Sequence, residues 1–335
     1  MKRNPVSLYF KYVSLNVLGM AALSCYILAD TFFVSRGLGA NGLTALNLAI
    51  PVYNLVNGTG LMLGVGGGAK YAVSKSRGDT AAQNRVFTNT LFLAAAFSAV
   101  FVAAGNFFSQ TITSALAADS PVFAMKNTYL KVILLFSPAF LLNNIFVAFI
   151  RNDGNPKLSM AGMITGSLSN VLLDYIFIFP LDMGIFGAVF ATGLSPVISM
   201  CVLSAHKIRR KNDFHIARSA PSPKLGGAIC ALGIPSLVSE LSSGIVILVF
   251  NMIILRIAGN TGVAAYGVIT NISLVVIAVF TGVAQGMQPL VSEAHGRGDT
   301  GAQLKFFKYA VITVFDLCAV VYPCIFFFAD PIASV

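Results

Sequence analysis

The sequence is short of charged residues: Asp, Glu, Lys and Arg make up 10% of its 335 positions, against about 25% in an average soluble domain. Hydrophobic residues make up 56%, and the mean hydropathy is +0.81. A soluble fold of this size needs a polar surface, which 22 basic and 12 acidic residues cannot cover. The scarcity of charge therefore excludes a soluble protein and indicates an integral membrane protein that crosses the bilayer several times.

Cysteine and histidine are also rare, with five and three residues respectively. The cysteines form no CxxC pair and fall inside apolar stretches, which does not suit a disulfide framework. The chain has no zinc-ligand spacing, nucleophile elbow or phosphate-binding loop. These absences disfavour an integral-membrane enzyme, and the sequence predicts no cofactor and no resident metal.

Long stretches with little or no charge separate the charged positions. A helix needs about 20 apolar residues to cross a bilayer, and nine intervals have about that length with at most one charge each. The intervals are 12–35, 37–69, 86–118, 132–150, 158–181, 183–205, 225–255, 257–292 and 309–329. Each interval predicts one transmembrane helix, so the expected fold class is an all-α integral membrane protein.

Basic residues are distributed unevenly between the loops that join these intervals. With the N-terminus inside, 18 Lys and Arg residues fall on the inner side and four on the outer side. This asymmetry follows the positive-inside rule and predicts a multi-pass protein of the cell membrane with a cytoplasmic N-terminus. It also explains the net charge of +10 by topology, so the sequence predicts the lipid bilayer, and not nucleic acid, as a partner.

A weak internal repeat divides the chain. RGDT at 77–80 recurs at 297–300 within similar flanking sequence, and six predicted spans separate the two copies. An even number of crossings preserves orientation, so the repeats are parallel, as in several secondary transporters. We expect a six-helix N-lobe at 1–205, a cytoplasmic loop at 206–224 and a partial C-lobe of three helices at 225–335. Three helices of a complete second lobe would then be missing, so a truncated, non-transporting fragment that needs a partner is an alternative.

Acidic residues inside predicted spans are functional candidates, because a carboxylate at the bilayer centre costs about 2.5–3.5 kcal/mol on insertion scales. Asp30 in the first span and Asp174 in the fifth fall in the outer half of the membrane, with Asn170 one helical turn before Asp174. Thr192 in the sixth span has a similar depth. Together they predict a cluster that loads and releases a proton or holds a hard cation. The alternatives are an Asp30 side chain that reaches the interface and an Asp174 that only fixes helix packing.

Glu240 lies near the midplane of the seventh predicted span, five residues after Pro235. An acid at this depth can attract a cationic substrate or bind a second coupling ion. The alternative is a purely structural carboxyl group. Glu240 is therefore predicted to serve the substrate or a second ion.

Six segments in order carry a resemblance to a known family: ADTFFVSRGLGANGLTALNLAIP (29–51), RNDGNPKLSM (151–160), SNVLLDYIFIF (169–179), GIFGAVFATGLS (184–195), GIPSLVSE (233–240) and QPLVSEAHGRGD (288–299). They resemble the multidrug and toxic compound extrusion (MATE) transporters, particularly the bacterial multidrug-efflux branch. The resemblance covers essentially the whole sequence and ends three helices short of the family's twelve. On this basis the chain looks like a MATE transporter truncated after its ninth helix.

The resemblance implies two six-helix lobes around a central cleft and the export of cationic amphiphilic drugs in exchange for protons or sodium ions. It also implies a monomer for a full-length relative. The family's N-lobe ion site falls on Asp30, Asn170, Asp174 and Thr192, where sodium would be the only metal, and a C-lobe acid falls on Glu240.

Two departures from the family pattern are visible. Many members bend their first helix at a proline that would fall near Leu15, and Gly19 is a weaker hinge. The tenth helix, which adds an acidic ligand in sodium-coupled members, is also absent. A related exporter that flips lipid-linked precursors is the remaining alternative. It requires a strongly cationic cavity, whereas the predicted spans hold acids and no deep Lys or Arg.

Overall fold

The protein is described by a computed structural model that covers residues 4–115 and 120–327. Every regular element within these ranges is a helix. We number them α1 Pro5–Gly39, α2 Asn41–Ser76, α3 Thr80–Phe107, α4 Ser109–Ala115, α5 Ser120–Leu135, α6 Ser137–Asn152, α7 Pro156–Ile178, α8 Gly184–Leu203, α9 Ala205–Ile208, α10 Pro223–Gly296 and α11 Thr300–Phe327. The all-helical fold predicted from the sequence is therefore confirmed for the described ranges.

Within the described ranges, seven helical stretches are long and apolar enough to cross a bilayer, two of them within α10. The helices α5 and α6 form an eighth span if the pair, bent by 48°, is counted as one. The bend follows from Pro138, which lies in the first turn of α6, because proline has no N–H to continue α5. All nine charge-poor intervals overlap helices, but this count does not confirm the expected layout of six spans plus three.

The two RGDT copies adopt the same backbone conformation. Gly78 and Gly298 have φ angles of 73° and 72°, a left-handed conformation that glycine adopts without steric cost. Asp79 and Asp299 each accept a hydrogen bond from the backbone N–H three residues later, over 2.9 and 2.8 Å. Each aspartate thereby caps the following helix. The tetrapeptide that repeats in the sequence is thus a repeated helix–turn–helix connection.

Glycines allow α2 and the first half of α10 to approach with their backbones in contact. A Cβ atom on Gly66 would overlap the carbonyl oxygen of Ile229, and one on Gly233 would overlap that of Met62. Small residues at helix crossings permit such close packing inside a membrane. This crossing joins the two halves of the chain along one wall of the central cavity described below.

An apolar cluster joins the same halves at the end of the bundle that the sequence predicts to be cytoplasmic. Tyr9 and Val13 of α1 pack with Val283 and Leu290 of α10 and with Phe306 of α11. Because these residues are buried, α1 is held against α10 at this end.

The loop between α9 and α10 is attached to the N-terminal half through buried Asp153. The Asp153 carboxylate accepts hydrogen bonds from the hydroxyl of Tyr71, from Nε2 of His206 over 2.8 Å and from the backbone N–H of Asp213 over 3.0 Å. It also pairs with Lys75. Burial alone would raise the pKa of Asp153, but its hydrogen bonds outweigh this effect and hold the pKa below its usual value.

Three side chains of α3 anchor the remainder of this loop. Backbone N–H groups of His215, Ala217 and Ser222 donate to side chains of α3 over 2.7, 2.8 and 2.7 Å. The ring of Phe214 packs among buried aromatic residues of the N-terminal half. The link predicted at 206–224 is therefore an ordered connection along the N-terminal half.

Candidate functional site

Asp30 of α1 and Asp174 of α7 lie side by side inside the helical bundle. Asp30 is 7% exposed and Asp174 is fully buried, and their carboxyl groups are close enough to interact electrostatically. Oδ1 of each has no hydrogen-bond partner among the described residues. Two adjacent carboxylates repel each other, so a proton or a cation bound between them stabilises the pair. The pair has the chemistry to hold one proton or one cation.

Asn170 connects this acidic pair to α8. Its amide, oriented to satisfy both neighbours, donates to Oδ2 of Asp174 over 3.0 Å and accepts from the backbone N–H of Thr192 over 3.2 Å. The hydroxyl of Thr192 donates to the carbonyl oxygen of Ala188 over 3.1 Å. All four residues that the sequence singled out are thus buried together, on three helices.

Three tyrosines that the sequence analysis did not single out surround the pair. The hydroxyls of Tyr26 and Tyr53 lie 2.8 Å apart, and Tyr129 lies close to Thr192. All three interact electrostatically with Asp30. Tyr26 lies one helical turn before Asp30 on the same face of α1, which is a sequence signal. The other two come from distant helices and had no such signal.

Glu240 lies on α10, outside the acidic pair. Its carboxyl group interacts with the side chain of Asn57, and its backbone carbonyl accepts from Nδ2 of Asn54 over 3.2 Å. Asn57 in turn accepts from Nδ2 of Asn144 over 3.0 Å. Tyr53 interacts electrostatically with both Asp30 and Glu240, so it connects the two acidic positions. Glu240 is therefore tied to α2 and α6 through amides.

A cavity of about 70 Å³ lies between these elements and includes Glu240 in its wall. It has room for about five water molecules, at about 10–15 Å³ for each. A drug-sized ligand needs about 300 Å³ or more, so this helix arrangement must widen to admit one. Its polar lining includes Tyr26, Tyr53, Asn57, Arg151, Thr192 and Glu240.

Arg151 is one of the 18 basic residues that the sequence assigns to the inner side. Its side chain is 1% exposed and lines the cavity. The guanidinium donates to Oδ1 of Asn16 over 2.5 Å and to Oε1 of Gln285 over 3.2 Å. Arg151 occupies the last turn of α6, which α1 and α10 cover, and the sequence does not reveal this packing.

The described residues contain no group of three or more His, Cys, Asp or Glu side chains that could hold a metal. Oxygen atoms of the acidic pair, with the amide of Asn170 and the hydroxyl of Thr192, are the candidate ligands for a hard cation. Such oxygen-rich surroundings suit cations that prefer oxygen over nitrogen or sulfur.

Comparison with curated proteins finds export proteins and not enzymes, in agreement with the sequence-based expectation. The multidrug export protein MepA of Staphylococcus aureus (strain MRSA252) is 25% identical over 294 residues, which is 87% of this chain and 65% of the relative. MepA of Staphylococcus saprophyticus is 23% identical over 301 residues, covering 88% and 66%. The chain spans about 65% of the length of the first of these relatives, a ratio that does not by itself confirm the predicted truncation.

Solved structures show the same fold. A crystal structure of MATE in complex with MaL6 has a TM-score of 0.91 at 25% identity, covering 98% of this chain and 74% of that one. An outward-facing multidrug resistance MATE transporter of the MOP superfamily also has a TM-score of 0.91, at 24% identity, with 98% and 73% covered. The MatE family model matches residues 17–176 and 235–335. Because these segments make up well over half of the sequence and include Asp30, Asn170, Asp174 and Glu240, the chain belongs to the MatE family.

Proposed function

We propose that this chain serves multidrug efflux by exchanging cationic amphiphilic compounds for protons or sodium ions. The observation that carries the proposal is the burial of Asp30 and Asp174 beside each other, within reach of Asn170. Membership of the MatE family and similarity to proteins named for multidrug export support it. The proposed architecture is a six-span N-lobe and a partial C-lobe of three spans that rearrange for alternating access.

The acidic pair supplies a physical basis for coupling. With one proton or cation bound, Asp30 and Asp174 attract each other through it and hold α1 against α7. When it leaves, two adjacent carboxylates repel, which favours a different position of α1. An ion can drive a transition only if its affinity differs between the two states. The pair provides that difference, because its geometry depends on the relative position of two helices.

The cavity provides the proposed path for the cationic compound. Glu240 contributes an acidic group to its wall, and Tyr26 and Tyr53 contribute aromatic rings. A cation is attracted both by a carboxylate and by the face of an aromatic ring. Met20 lies on the same wall, and its side chain adapts to ligands of different shape.

The cavity does not favour the flippase alternative. An exporter of lipid-linked precursors needs several basic groups for an anionic headgroup. Among the described residues that line the cavity, Arg151 is the basic group and Glu240 the acidic one. One cation opposed by one anion leaves no positive excess, so drug–cation exchange is the better supported function.

Transport in proteoliposomes tests the proposal. We expect efflux of a fluorescent cationic compound to follow an imposed proton or sodium gradient, and the effective gradient identifies the coupling ion. Asp30→Asn and Asp174→Asn should each lower gradient-driven efflux at least about tenfold, as expected for loss of a coupling free energy of about 1.4 kcal/mol or more.

The matched control is Asp182→Asn, which removes an exposed acid from the loop between α7 and α8. This variant should transport at the unmodified rate. Unimpaired efflux in both Asp30→Asn and Asp174→Asn would remove the pair as the coupling site.

A further inference from the structure

Arg151 is a buried cation that forms no ion pair with any described residue. Its two partners, Asn16 and Gln285, offer neutral amide oxygens. Its Nε atom has no hydrogen-bond partner within the described ranges. An ionised group removed from water without a compensating charge is strongly destabilising. Although Glu240 lines the same cavity, Arg151 therefore has no anion in direct contact among the described residues.

Other donors on the same cavity wall also lack partners. Ser167 and Ser199 line the cavity together with Arg151, and their buried hydroxyls have no hydrogen-bond partner within the described part of the chain. Guanidinium N–H and hydroxyl O–H groups both donate, so the ligand that suits them is an acceptor. Oδ1 of Asn143, an unpartnered acceptor on this wall, suits a water molecule that accompanies such a ligand.

We infer that Arg151 binds a small monovalent anion, a halide or a small carboxylate, in the central cavity. The cavity of about 70 Å³ admits such an ion with a few water molecules, since each water needs about 10–15 Å³. A large organic anion does not fit the same space. The bound anion neutralises the guanidinium and accepts the hydrogen bond that Nε otherwise lacks.

The anion site lies where the two halves of the chain meet. Asn16 belongs to α1 and Gln285 to α10, and Asn16 also donates to the carbonyl oxygen of Gly282 over 2.9 Å. The residue after Arg151, Asn152, exchanges two hydrogen bonds with Gln288 of α10, over 3.1 and 3.2 Å. An anion at Arg151 therefore stabilises this arrangement of α1 and α10 over arrangements in which they separate. Binding of the anion is measured without a transport assay, so the result does not depend on whether the proposed drug–cation exchange is correct.

The first experiment measures the apparent Tm of the purified protein in sodium chloride, sodium formate or sodium gluconate at equal ionic strength. A ligand that binds only the folded state raises Tm with its concentration, so chloride should raise Tm by about 2 °C or more over the large anion gluconate. A rise in formate alone identifies a carboxylate as the ligand. Equal Tm values in all three salts would overturn the inference.

The variants Arg151→Gln and Lys157→Gln assign the effect to the site. Both remove one basic residue, but Lys157 is exposed at the start of α7. The anion-dependent rise in Tm should be lost in Arg151→Gln and retained in Lys157→Gln. The same rise in both variants would show that the anion acts elsewhere and would contradict the site.

Crystals of the unmodified protein grown in sodium bromide provide a test that does not depend on any variant being folded. An anomalous bromide peak within hydrogen-bonding distance of the Arg151 guanidinium is the expected result. Absence of a peak in the cavity at saturating bromide, together with salt-independent Tm values, would exclude the site.

Discussion

Asn170 shows how one buried amide determines the surroundings of a neighbouring carboxyl group. It is fully buried and donates to Oδ2 of Asp174, while its oxygen faces the backbone of Thr192. An apolar side chain at this position would leave Asp174 with one fewer donor in a region that water does not solvate. At the scale of single residues, the site therefore depends on amides and hydroxyls as much as on its two acids.

Replacing Asn170 by alanine tests this dependence. A buried carboxyl group that loses a hydrogen bond costs about 1–3 kcal/mol, so Asn170→Ala should lower the free energy of unfolding by about that amount. Chemical denaturation in detergent measures the change. Asn106→Ala, which removes an exposed amide from α3, should change stability by less than about 0.5 kcal/mol. Equal losses in the two variants would contradict the role assigned to Asn170.

At the scale of elements, the loop between α9 and α10 shows how a polar segment becomes ordered. One buried carboxylate, that of Asp153, collects donors from α2, α9 and the loop itself. The aromatic ring of Phe214 adds apolar contacts. This anchor fixes the start of α10 relative to α3. The position of the connection between the two halves therefore depends on one residue, Asp153.

Removal of the Asp153 carboxylate should release this loop. Asp153→Asn should increase the rate of tryptic cleavage at Arg209, Arg210 and Lys211 at least several-fold, because local opening exposes the chain to protease. Cleavage is followed by mass spectrometry of the fragments. Glu293→Gln, which removes an exposed carboxylate on α10, should leave the rate unchanged, and an equal increase there would contradict the proposed anchor.

The anchor should also depend on pH in a defined direction. The pKa of Asp153 in the folded chain lies below its usual value, about 3.9 in an unfolded chain. A carboxyl group of this kind stabilises the fold fully above the unfolded pKa and loses its contribution as pH falls through the folded one. Protection of the loop from an acid-active protease should therefore persist at neutral pH and decline only below about pH 4. A loss of protection near pH 6 would assign the effect to another group.

At the scale of the whole molecule, the two halves of the chain pack so closely at one helix crossing that only glycine fits there. The backbones of α2 and α10 touch at Gly66 and Gly233, and α1 packs on α10 and α11 at the other side of the cavity. The distance between α2 and α10 is therefore set by glycines at the crossing. A larger residue there acts on both halves at once.

Gly66→Val tests this close approach. Its side chain would overlap the backbone of α10, and overpacking of this kind costs about 1–3 kcal/mol or more. The apparent Tm in detergent should therefore fall. Gly227→Ala is the matched control, because a Cβ atom at Gly227 meets nothing within 4 Å, and alanine favours helix more than glycine does. A stable Gly66→Val variant would show that the crossing tolerates a side chain.

The sequence by itself determined the membrane class and the all-helical fold, and it predicted the depth of Asp30, Asn170, Asp174 and Thr192. These properties depend on local composition and on the fixed rise of a helix, so they can be predicted from the sequence alone. The RGDT turns belong to the same class, because glycine and a capping aspartate act within a few residues.

Only the tertiary structure decided which side chains meet across helices. Tyr53 and Tyr129 join the acidic pair, and Arg151 enters the cavity, through packing between helices far apart in sequence. The rotation of each helix about its axis fixes such contacts, and in a membrane both lipid and helix neighbours accept apolar faces. Hydrophobic periodicity therefore does not report that rotation here, and the position of Arg151 followed only from the packing of α1 and α10 around it.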